Sequence, residues 1–279
     1  MKKKLSRVVL ACTLMLTCVS TRAFAAQGAR GRVTGEEKAE AREVAAAFMN
    51  RFFETHDFAA VVDELYVPDY MPRYVRSRAA AEERAADSTF MLEGIPSLSF
   101  GRRLAAHADD ELWPRLFVAA NNFMHYGLAS VLSRRTLEEM SDPEKMEQAD
   151  MLAAYPPEAL KVLDANPALA NFNDKVGEQA DVRTLAELRA VTEGMEKAER
   201  LTRAGFAARV PATETLERNL AVLKAMPAVS EVTLAAGAEE FGYPEGTRLF
   251  KVFAPPVYDL LLVREGGRMK IVWAFVADD

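Results

Sequence analysis

Most of the chain follows a helical pattern of hydrophobic and polar positions. Between residues 34 and 226, apolar side chains recur three or four positions apart, which predicts amphipathic helices with one buried face. Two stretches, 93–102 and 171–182, interrupt this pattern, and we interpret both as loops. The predicted helices cover 34–55, 57–66, 70–90, 110–134, 142–154, 157–165, 183–204 and 211–226.

Polar residues at the starts of these helices support the predicted boundaries. Thr34 and Glu37 stand three residues apart before an apolar run, the spacing at which each side chain covers a free amide of the other residue. Asp57 is predicted to cap the second helix. The helix over 110–134 has the widest apolar stripe, so we expect it to be the central buried helix.

The pattern changes after Pro227. Short segments rich in Val, Leu, Phe, Tyr and Trp alternate with Gly or Pro turns, which is typical of antiparallel strands. Gly266-Gly267 lies between two apolar runs and predicts a two-residue hairpin turn. The sequence therefore predicts an α+β fold in a single domain over 34–279. Its body over 34–226 is predominantly helical, and a C-terminal antiparallel β-sheet forms a meander over 227–279.

Residues 1–25 contain the three parts of a secretory signal peptide in their usual order. A basic start precedes an apolar stretch, and Ala23-Phe24-Ala25 then offers small residues at the cleavage site. We predict cleavage after Ala25, export to the periplasm or the extracellular space, and a flexible lead-in over 26–33. Two alternatives stay open: an uncleaved membrane anchor, and a lipid anchor through Cys18. The basic residues of the start are Lys2, Lys3, Lys4 and Arg7.

Removal of this leader changes the charge and the chemistry of the chain. The full sequence has 35 basic and 41 acidic residues and a formal charge of −6, whereas the mature chain has 30 basic and 41 acidic residues and a charge of −11. So acidic a chain repels nucleic acid and anionic lipid, and we expect it to bind neither nucleic acid nor a membrane after cleavage. Both cysteines, Cys12 and Cys18, lie in the leader, which excludes thiol chemistry and disulfides from the mature protein.

Two segments far apart in the sequence resemble a known superfamily. The segment 44–71 combines a long helix, a short helix led by Asp57 and the turn Tyr66-Val67-Pro68-Asp69; the segment 258–278 is a hairpin in which Gly-Arg-Met-Lys-Ile leads into the last strand. They resemble the first two helices and the last hairpin of the nuclear transport factor 2-like (polyketide-cyclase-like) superfamily. This resemblance implies a cone divided by a large helical insertion over 75–225. It also implies a pocket between the first helices and the concave face of the sheet.

His125 is the candidate for acid–base chemistry. It lies on the most apolar helix, and Asn121 lies one turn earlier on the same face, so an amide could hold the imidazole beside a pocket. The alternative is a hydrogen-bonded histidine at the edge of the core. His56, His107 and His125 lack the short spacings of zinc ligands, and we expect neither a metal nor a cofactor.

Candidate binding residues follow from the implied pocket. Alternate residues of a strand share a face, so Tyr258, Leu260 and Leu262 on one strand are expected to line the pocket with Trp273 and Phe275 on the next. Asp259 is then expected to face the other way. The alternative is that these side chains only pack the core.

These observations favour an exported, soluble, non-enzymatic protein that binds a small apolar ligand or a protein partner. Two alternatives stay open: a hydrolase or isomerase with a pocket centred on His125, and a structural or assembly protein, including a homo-oligomer. The three functions differ in what the structure should contain. Binding predicts an enclosed apolar pocket, catalysis predicts an open cleft beside His125, and assembly predicts a large exposed apolar patch.

Overall fold

The structure is a computed structural model, and it confirms the predicted α+β class. It describes residues 32–81, 88–92, 95, 98–107, 111–136, 139, 154–170, 180–209, 214–225, 231–254 and 258–276. The predicted signal peptide 1–25, nearly all of the lead-in 26–33 and all but the last residue of the predicted helix 142–154 lie outside these residues. Helices make up most of the described chain, and an antiparallel four-stranded sheet forms its C-terminal part.

Helices and strands follow each other in the order of the sequence prediction, with one additional small sheet. In chain order the elements are α1 (Gly35–Thr55), α2 (Phe58–Leu65), α3 (Tyr70–Ala81), β1 (Thr89–Met91), β2 (Leu98–Gly101), a 3₁₀ helix (Arg102–His107), α4 (Leu112–Leu132), α5 (Pro157–Ala165), β3 (Ala180–Val182), α6 (Leu185–Arg209), α7 (Glu214–Ala225), β4 (Thr233–Ala235), a second 3₁₀ helix (Ala238–Phe241), β5 (Leu249–Ala254), β6 (Tyr258–Glu265) and β7 (Arg268–Val276).

The chain divides into two compact units. The helical unit contains the described residues between 88 and 222, and the terminal unit contains those over 32–81 together with those between 223 and 276. The terminal unit thus combines the first three helices with the last four strands, although the whole helical unit separates them in the sequence. The prediction of a single domain over 34–279 stays a prediction.

The helix starts of the terminal unit form the predicted caps. The Thr34 amide donates to Glu37 Oε2 at 2.8 Å, and the Glu37 amide donates to Thr34 Oγ1 at 3.2 Å. The bond from the Thr34 amide is the main reason why the pKa of Glu37 is lowered, and Arg248 lowers it further. Asp57 Oδ1 accepts the amide of Ala59 at 3.0 Å, so the predicted cap of α2 is confirmed.

The connection between α1 and α2 makes stability depend on pH. His56 has a φ of 48°, in the left-handed region that residues other than Gly and Asn rarely adopt. Burial lowers the pKa of His56 below its ordinary value of 6.5. The unfolded chain therefore binds the proton first as the pH falls through 6.5, so the free energy of unfolding should decrease there and level off once the folded state is protonated too.

His56→Asn provides the matched control, because asparagine tolerates a positive φ and does not titrate. We expect the urea midpoint of the native protein to fall more than that of His56→Asn between about pH 8 and about pH 5. Carboxylate titration contributes equally to both proteins and cancels in the comparison. Identical pH dependence in the two proteins would contradict the assignment.

The sheet of the terminal unit confirms the predicted meander. Its strands pair in the order β4-β5-β6-β7, each antiparallel to the next. The two residues of the β6–β7 turn, Gly266 and Gly267, have φ values of 59° and 82°, which suit the predicted two-residue hairpin and would strain a residue with a Cβ atom.

A β-bulge in β7 changes the register of this hairpin. Near the turn Ile271 pairs with Leu262, whereas the next paired residue of β7, Trp273, pairs with Leu261. Val272 is therefore an extra residue with no partner of its own on β6. An extra residue moves all following side chains to the opposite face, so the bulge decides which side of the sheet Trp273 occupies.

The outer edge of β7 is attached to the first helices of the same unit. The Met269 amide donates to Glu40 Oε1 at 2.8 Å, and Arg264 forms an ion pair with the same carboxylate. The Val67 amide donates to the carbonyl of Ile271 at 2.9 Å. Backbone groups that an edge strand would leave open are thus used by α1 and by the link between α2 and α3.

The helical unit is built around α4. Buried residues occur on every side of this helix, as predicted for the central helix. α6 packs along it, and Arg115 and Glu196 join the two helices through hydrogen bonds of 2.8 and 2.9 Å. At the end of α4, Asn219 Nδ2 donates to the carbonyls of Leu132 at 2.8 Å and Arg135 at 2.7 Å. Asn219 therefore satisfies two carbonyls of the helix end from a neighbouring helix.

The helical unit also contains a small sheet that the sequence did not predict. β2 pairs antiparallel with β1 and parallel with β3. Because β2 lies within 93–102 and β3 within 171–182, the prediction of loops is wrong for these residues. All four residues of β2 are buried, so the strand lacks the alternation that identifies half-buried strands, and three or four residues are too few to establish a period.

Candidate functional site

The predicted binding residues lie on two different faces of the sheet. Residues that pair directly across two strands share a face. Trp273 pairs with Leu261, so it lies on the face of Leu261 and Asp259, whereas Leu260 and Leu262 lie on the opposite face. The prediction that Trp273 shares a face with Leu260 and Leu262, and that Asp259 faces away from it, is wrong.

The bulge at Val272 explains this difference. An uninterrupted register from the Gly-Gly turn would pair Trp273 with Leu260 and Phe275 with Tyr258, as alternation predicts. The extra residue instead places Phe275 opposite Asp259 and Tyr258 opposite Val276. The five candidate strand residues therefore cannot line one pocket, and the two faces have to be considered separately.

On the face that carries Trp273, this ring packs with aromatic side chains from residues 58–74 and from the 3₁₀ helix that ends at Phe241. We call the whole group the aromatic cluster, which consists of Phe58, Tyr66, Tyr70, Tyr74, Phe241 and Trp273. All six side chains are buried, and Trp273 is 0% exposed. The protein's own rings therefore fill this face.

Tyr74 is at the centre of the aromatic cluster. Its ring centroid lies 4.1 Å from that of Trp273 at an interplanar angle of 31°, and 5.6 Å from that of Phe241 at 20°. The ring centroid of Tyr70 lies 6.3 Å from that of Trp273 and 4.8 Å from that of Tyr66. Such offset and tilted ring contacts stabilise a structure beyond the effect of the buried area alone.

Three tyrosines of the cluster follow each other at intervals of four residues: Tyr66, Tyr70 and Tyr74. Residues four apart lie on one side of a helix, so α3 directs the rings of Tyr70 and Tyr74 to the same side. Tyr66 precedes α3 in extended backbone, and its bridge to Ile271 places it beside β7. This spacing was the signal that could have identified the cluster from the sequence. Their hydroxyl oxygens are buried, and burial raises the pKa of Tyr70 well above its ordinary value.

A short segment over 237–243, which we call the strap, lies against α3 beside Tyr74. The Ser77 hydroxyl donates to the carbonyl of Glu239, and the Arg73 guanidinium lies 4.3 Å from the centre of the Tyr243 ring. Burial raises the pKa of Tyr243 to about 12, although the nearby Arg73 lowers it. Arg73 is itself held by Asp69 at 2.8 Å and by Glu265 at 3.6 Å.

An ion pair between a buried aspartate and a half-exposed lysine lies on the same face of the sheet as Trp273. Asp259 is 9% exposed, and its Oδ2 lies 2.6 Å from Lys251 Nζ on the neighbouring strand. Lys251 pairs with Leu261 in the register of β5 and β6, which places it on this face as well. The charge of Asp259 is therefore compensated within the sheet.

The catalytic candidate His125 lies in the helical unit and is 3% exposed. The centroid of its ring lies 5.9 Å from that of Tyr126, and most of the neighbouring residues of α4 are buried as well. Asn121 Nδ2 donates to the carbonyl of Phe117 at 2.8 Å, one turn back on its own helix. The described residues therefore form no open cleft beside His125, and this geometry does not support a substrate there.

Two surface features of the described residues bear on function. A depression of about 320 Å³ at the start of α1 is lined by Arg32, Val33, Thr34, Gly35 and Lys38, so two cations border it and it is not an enclosed apolar pocket. Among the described residues, Val222 is the one large apolar side chain that is strongly exposed, at 45%. A large apolar patch of the kind that assembly predicts is therefore not formed by this part of the chain.

The described ranges contain neither a metal-binding cluster nor a membrane-spanning helix. No group of three or more His, Cys, Asp or Glu side chains there is arranged to hold a metal ion. No helix among the same residues has the length and apolar composition needed to cross a membrane.

Comparison of the chain with protein-family models, with curated proteins and with solved structures gives no match.

Proposed function

We propose that this protein is exported and that its terminal unit binds a small apolar ligand on the sheet face that carries Trp273. The observation that carries the proposal is the composition of the aromatic cluster. Half of its six rings are tyrosines, which bring polar tips into an otherwise apolar interior. Packing alone would be served as well by Phe or Leu, whereas rings with polar tips suit a ligand with an apolar body and a few polar groups.

The resemblance to the nuclear transport factor 2-like superfamily supports the same site. Its two segments, 44–71 and 258–278, both belong to the terminal unit, and Glu40 and Val67 connect the first helices to the last hairpin. The resemblance implies a ligand between these helices and the sheet, which is where the aromatic cluster lies. The composition of residues 1–25 supports export.

Native mass spectrometry of the protein purified from its own host tests this function. We expect a fraction of the protein to carry one additional small molecule, which is released under denaturing conditions. A site of this kind takes up a ligand of a few hundred daltons at about one per chain. Protein that carries no small molecule, and that takes up none from a lipid extract of the host, would contradict the proposal.

Two tyrosine variants locate the ligand. Tyr70→Phe removes a buried hydroxyl from the aromatic cluster, and we expect the bound fraction to fall about tenfold because a hydrogen bond to the ligand is lost. Tyr126→Phe is the matched control, since it removes the hydroxyl of a buried tyrosine in the helical unit. Equal loss in both variants would point to a general loss of stability, and loss only in the control would place the ligand elsewhere.

A further inference from the structure

The strap is bounded by two glycines in a conformation that other residues avoid. Gly237 has a φ of 84° and Gly242 a φ of 74°, and a 3₁₀ helix over Ala238–Phe241 lies between them. Both values lie in the left-handed region, where glycine moves with little steric cost. Segments between two such positions can rotate as a unit, because the hinges absorb the change in backbone angles.

The strap places one ring over the aromatic cluster. Phe241 is 2% exposed and stacks on Tyr74, which in turn packs against Trp273. Phe241 is the member of the cluster that the strap supplies, from the end of its 3₁₀ helix. Movement of the strap away from α3 would therefore withdraw Phe241 and uncover Tyr74.

The hydrogen bonds of the strap favour movement as a unit. Three backbone bonds close it on itself: Glu240 to Gly237, Gly242 to Glu239, and Tyr243 to Ala238, each at 3.0 Å. Its attachments to α3, in contrast, are side-chain contacts: the Ser77 hydroxyl on the carbonyl of Glu239, Arg73 over the ring of Tyr243, and the stack of Phe241 on Tyr74. Opening breaks these contacts, and rotation at Gly242 also releases the Tyr243 amide from the carbonyl of Ala238, whereas the bonds from Glu240 and Gly242 stay within the strap.

We propose that the strap is a hinged cover over the aromatic cluster and that it swings away from α3 to admit the apolar ligand. The ligand takes the place of Phe241 against Tyr74, so the cluster is filled by the protein's own ring in the closed state and by the ligand in the open state. This inference rests on the proposed function. It also explains how a binding face can be fully packed in the structure.

Hydrogen exchange measured by mass spectrometry tests the movement without a ligand. A cover attached by side chains opens far more often than the protein unfolds, so we expect the amide of Tyr243, whose bond to Ala238 spans the hinge at Gly242, to exchange at least about a hundredfold faster than the amides of β6 over 258–265. Exchange of the Tyr243 amide and the β6 amides at one common rate would overturn the inference, because the strap would then open only with the whole unit.

Two variants on α3 test what holds the strap closed. Ser77→Ala removes the hydroxyl that binds Glu239, and we expect exchange in the strap to rise about fivefold while exchange in β6 is unchanged. Arg76→Ala is the matched control, because Arg76 is exposed on the same helix. An equal change of hydrogen exchange in the strap for both variants would show that the bond from Ser77 to Glu239 does not hold the strap closed.

The apolar dye anilinonaphthalene sulfonate tests whether opening controls access. A site that is open only part of the time binds in proportion to its open fraction, so Ser77→Ala should bind the dye about fivefold more tightly than Arg76→Ala. Equal affinity would overturn the role of the strap as a cover. Native mass spectrometry of the unmodified protein tests the natural function separately, since a strap that opens on protein carrying no natural ligand would refute only that function.

Discussion

Replacement of Asn219 by Leu should lower the free energy of unfolding by about 3 kcal/mol. Asn219 is buried, and its amide supplies the hydrogen bonds to the carbonyls of Leu132 and Arg135 at the end of α4. Leucine fills a similar volume but donates nothing, so two carbonyls at a helix end lose their partner. We expect the melting temperature to fall by about 10 °C, measured by calorimetry together with a urea titration.

Asn121→Leu is the control for this result. Its amide also donates to a carbonyl, that of Phe117, but this carbonyl lies one turn back on the same helix and the side chain is only half-buried. We expect a change of less than about 0.5 kcal/mol. If Asn219→Leu and Asn121→Leu lower the free energy of unfolding by the same amount, the hydrogen bonds from Asn219 do not stabilise the end of α4.

Deletion of Val272 should have the largest effect of any single change in the terminal unit. The deletion removes the bulge, so Trp273 would pair with Leu260 and turn to the face opposite α3. The Tyr74–Trp273 contact would be lost, and a bulky indole would enter a face that is already packed. We expect the free energy of unfolding of the terminal unit to fall by more than about 5 kcal/mol, which would appear as rapid hydrogen exchange throughout β6 and β7.

Val272→Ala separates the register from the side chain. It shortens the same buried side chain but keeps the number of residues in β7. We therefore expect the free energy of unfolding to fall by about 2 kcal/mol from lost packing alone. The aromatic contacts of Trp273 should persist in this variant and give a near-ultraviolet circular dichroism spectrum like that of the native protein. A deletion that is no more harmful than this substitution would show that the bulge does not determine the face of Trp273.

Features that depend on neighbouring residues could be predicted from the sequence. The capping pair Thr34 and Glu37, the cap Asp57 and the Gly266-Gly267 turn each involve residues no more than three positions apart. Their chemistry is complete within one turn of chain, so the residue types alone indicate the structure. Most helix positions and the four-stranded meander follow from these signals and from the apolar period. The helix predicted over 70–90 is wrong at Thr89 and Phe90, which belong to β1.

Features that depend on distant residues could not be predicted in this way. β2 and β3 pair across 82 residues, as the Ser99–Asp181 contact shows, and neither strand is long enough to have a period of its own. The hydroxyl of Ser99 is the main reason why the pKa of Asp181 is lowered, yet nothing near Asp181 in the sequence points to this partner. Such pairings are set by packing rather than by local pattern.

The candidate site shows both cases. Trp273 was identified because aromatic residues in a hairpin are visible in the sequence, but its face was predicted wrongly because the bulge at Val272 has no signature of its own. His125 was identified from its residue type, whereas its burial depends on the helices that surround α4. The spacing of Tyr66, Tyr70 and Tyr74 and the C-terminal sheet were both visible in the sequence, but the contact between them was not, because it joins distant parts of the chain.

The bond between Glu40 and Met269 has a consequence for biosynthesis, because it joins residues that are 229 positions apart. A ribosome adds about 5 to 20 residues each second, so the apolar side of α1 waits on the order of 10 to 50 seconds before its partner strand emerges. During that interval the apolar side of α1 has no partner strand and is exposed to aggregation. Closure of the terminal unit is thus a late event with a high contact order, and pairings of this kind form slowly.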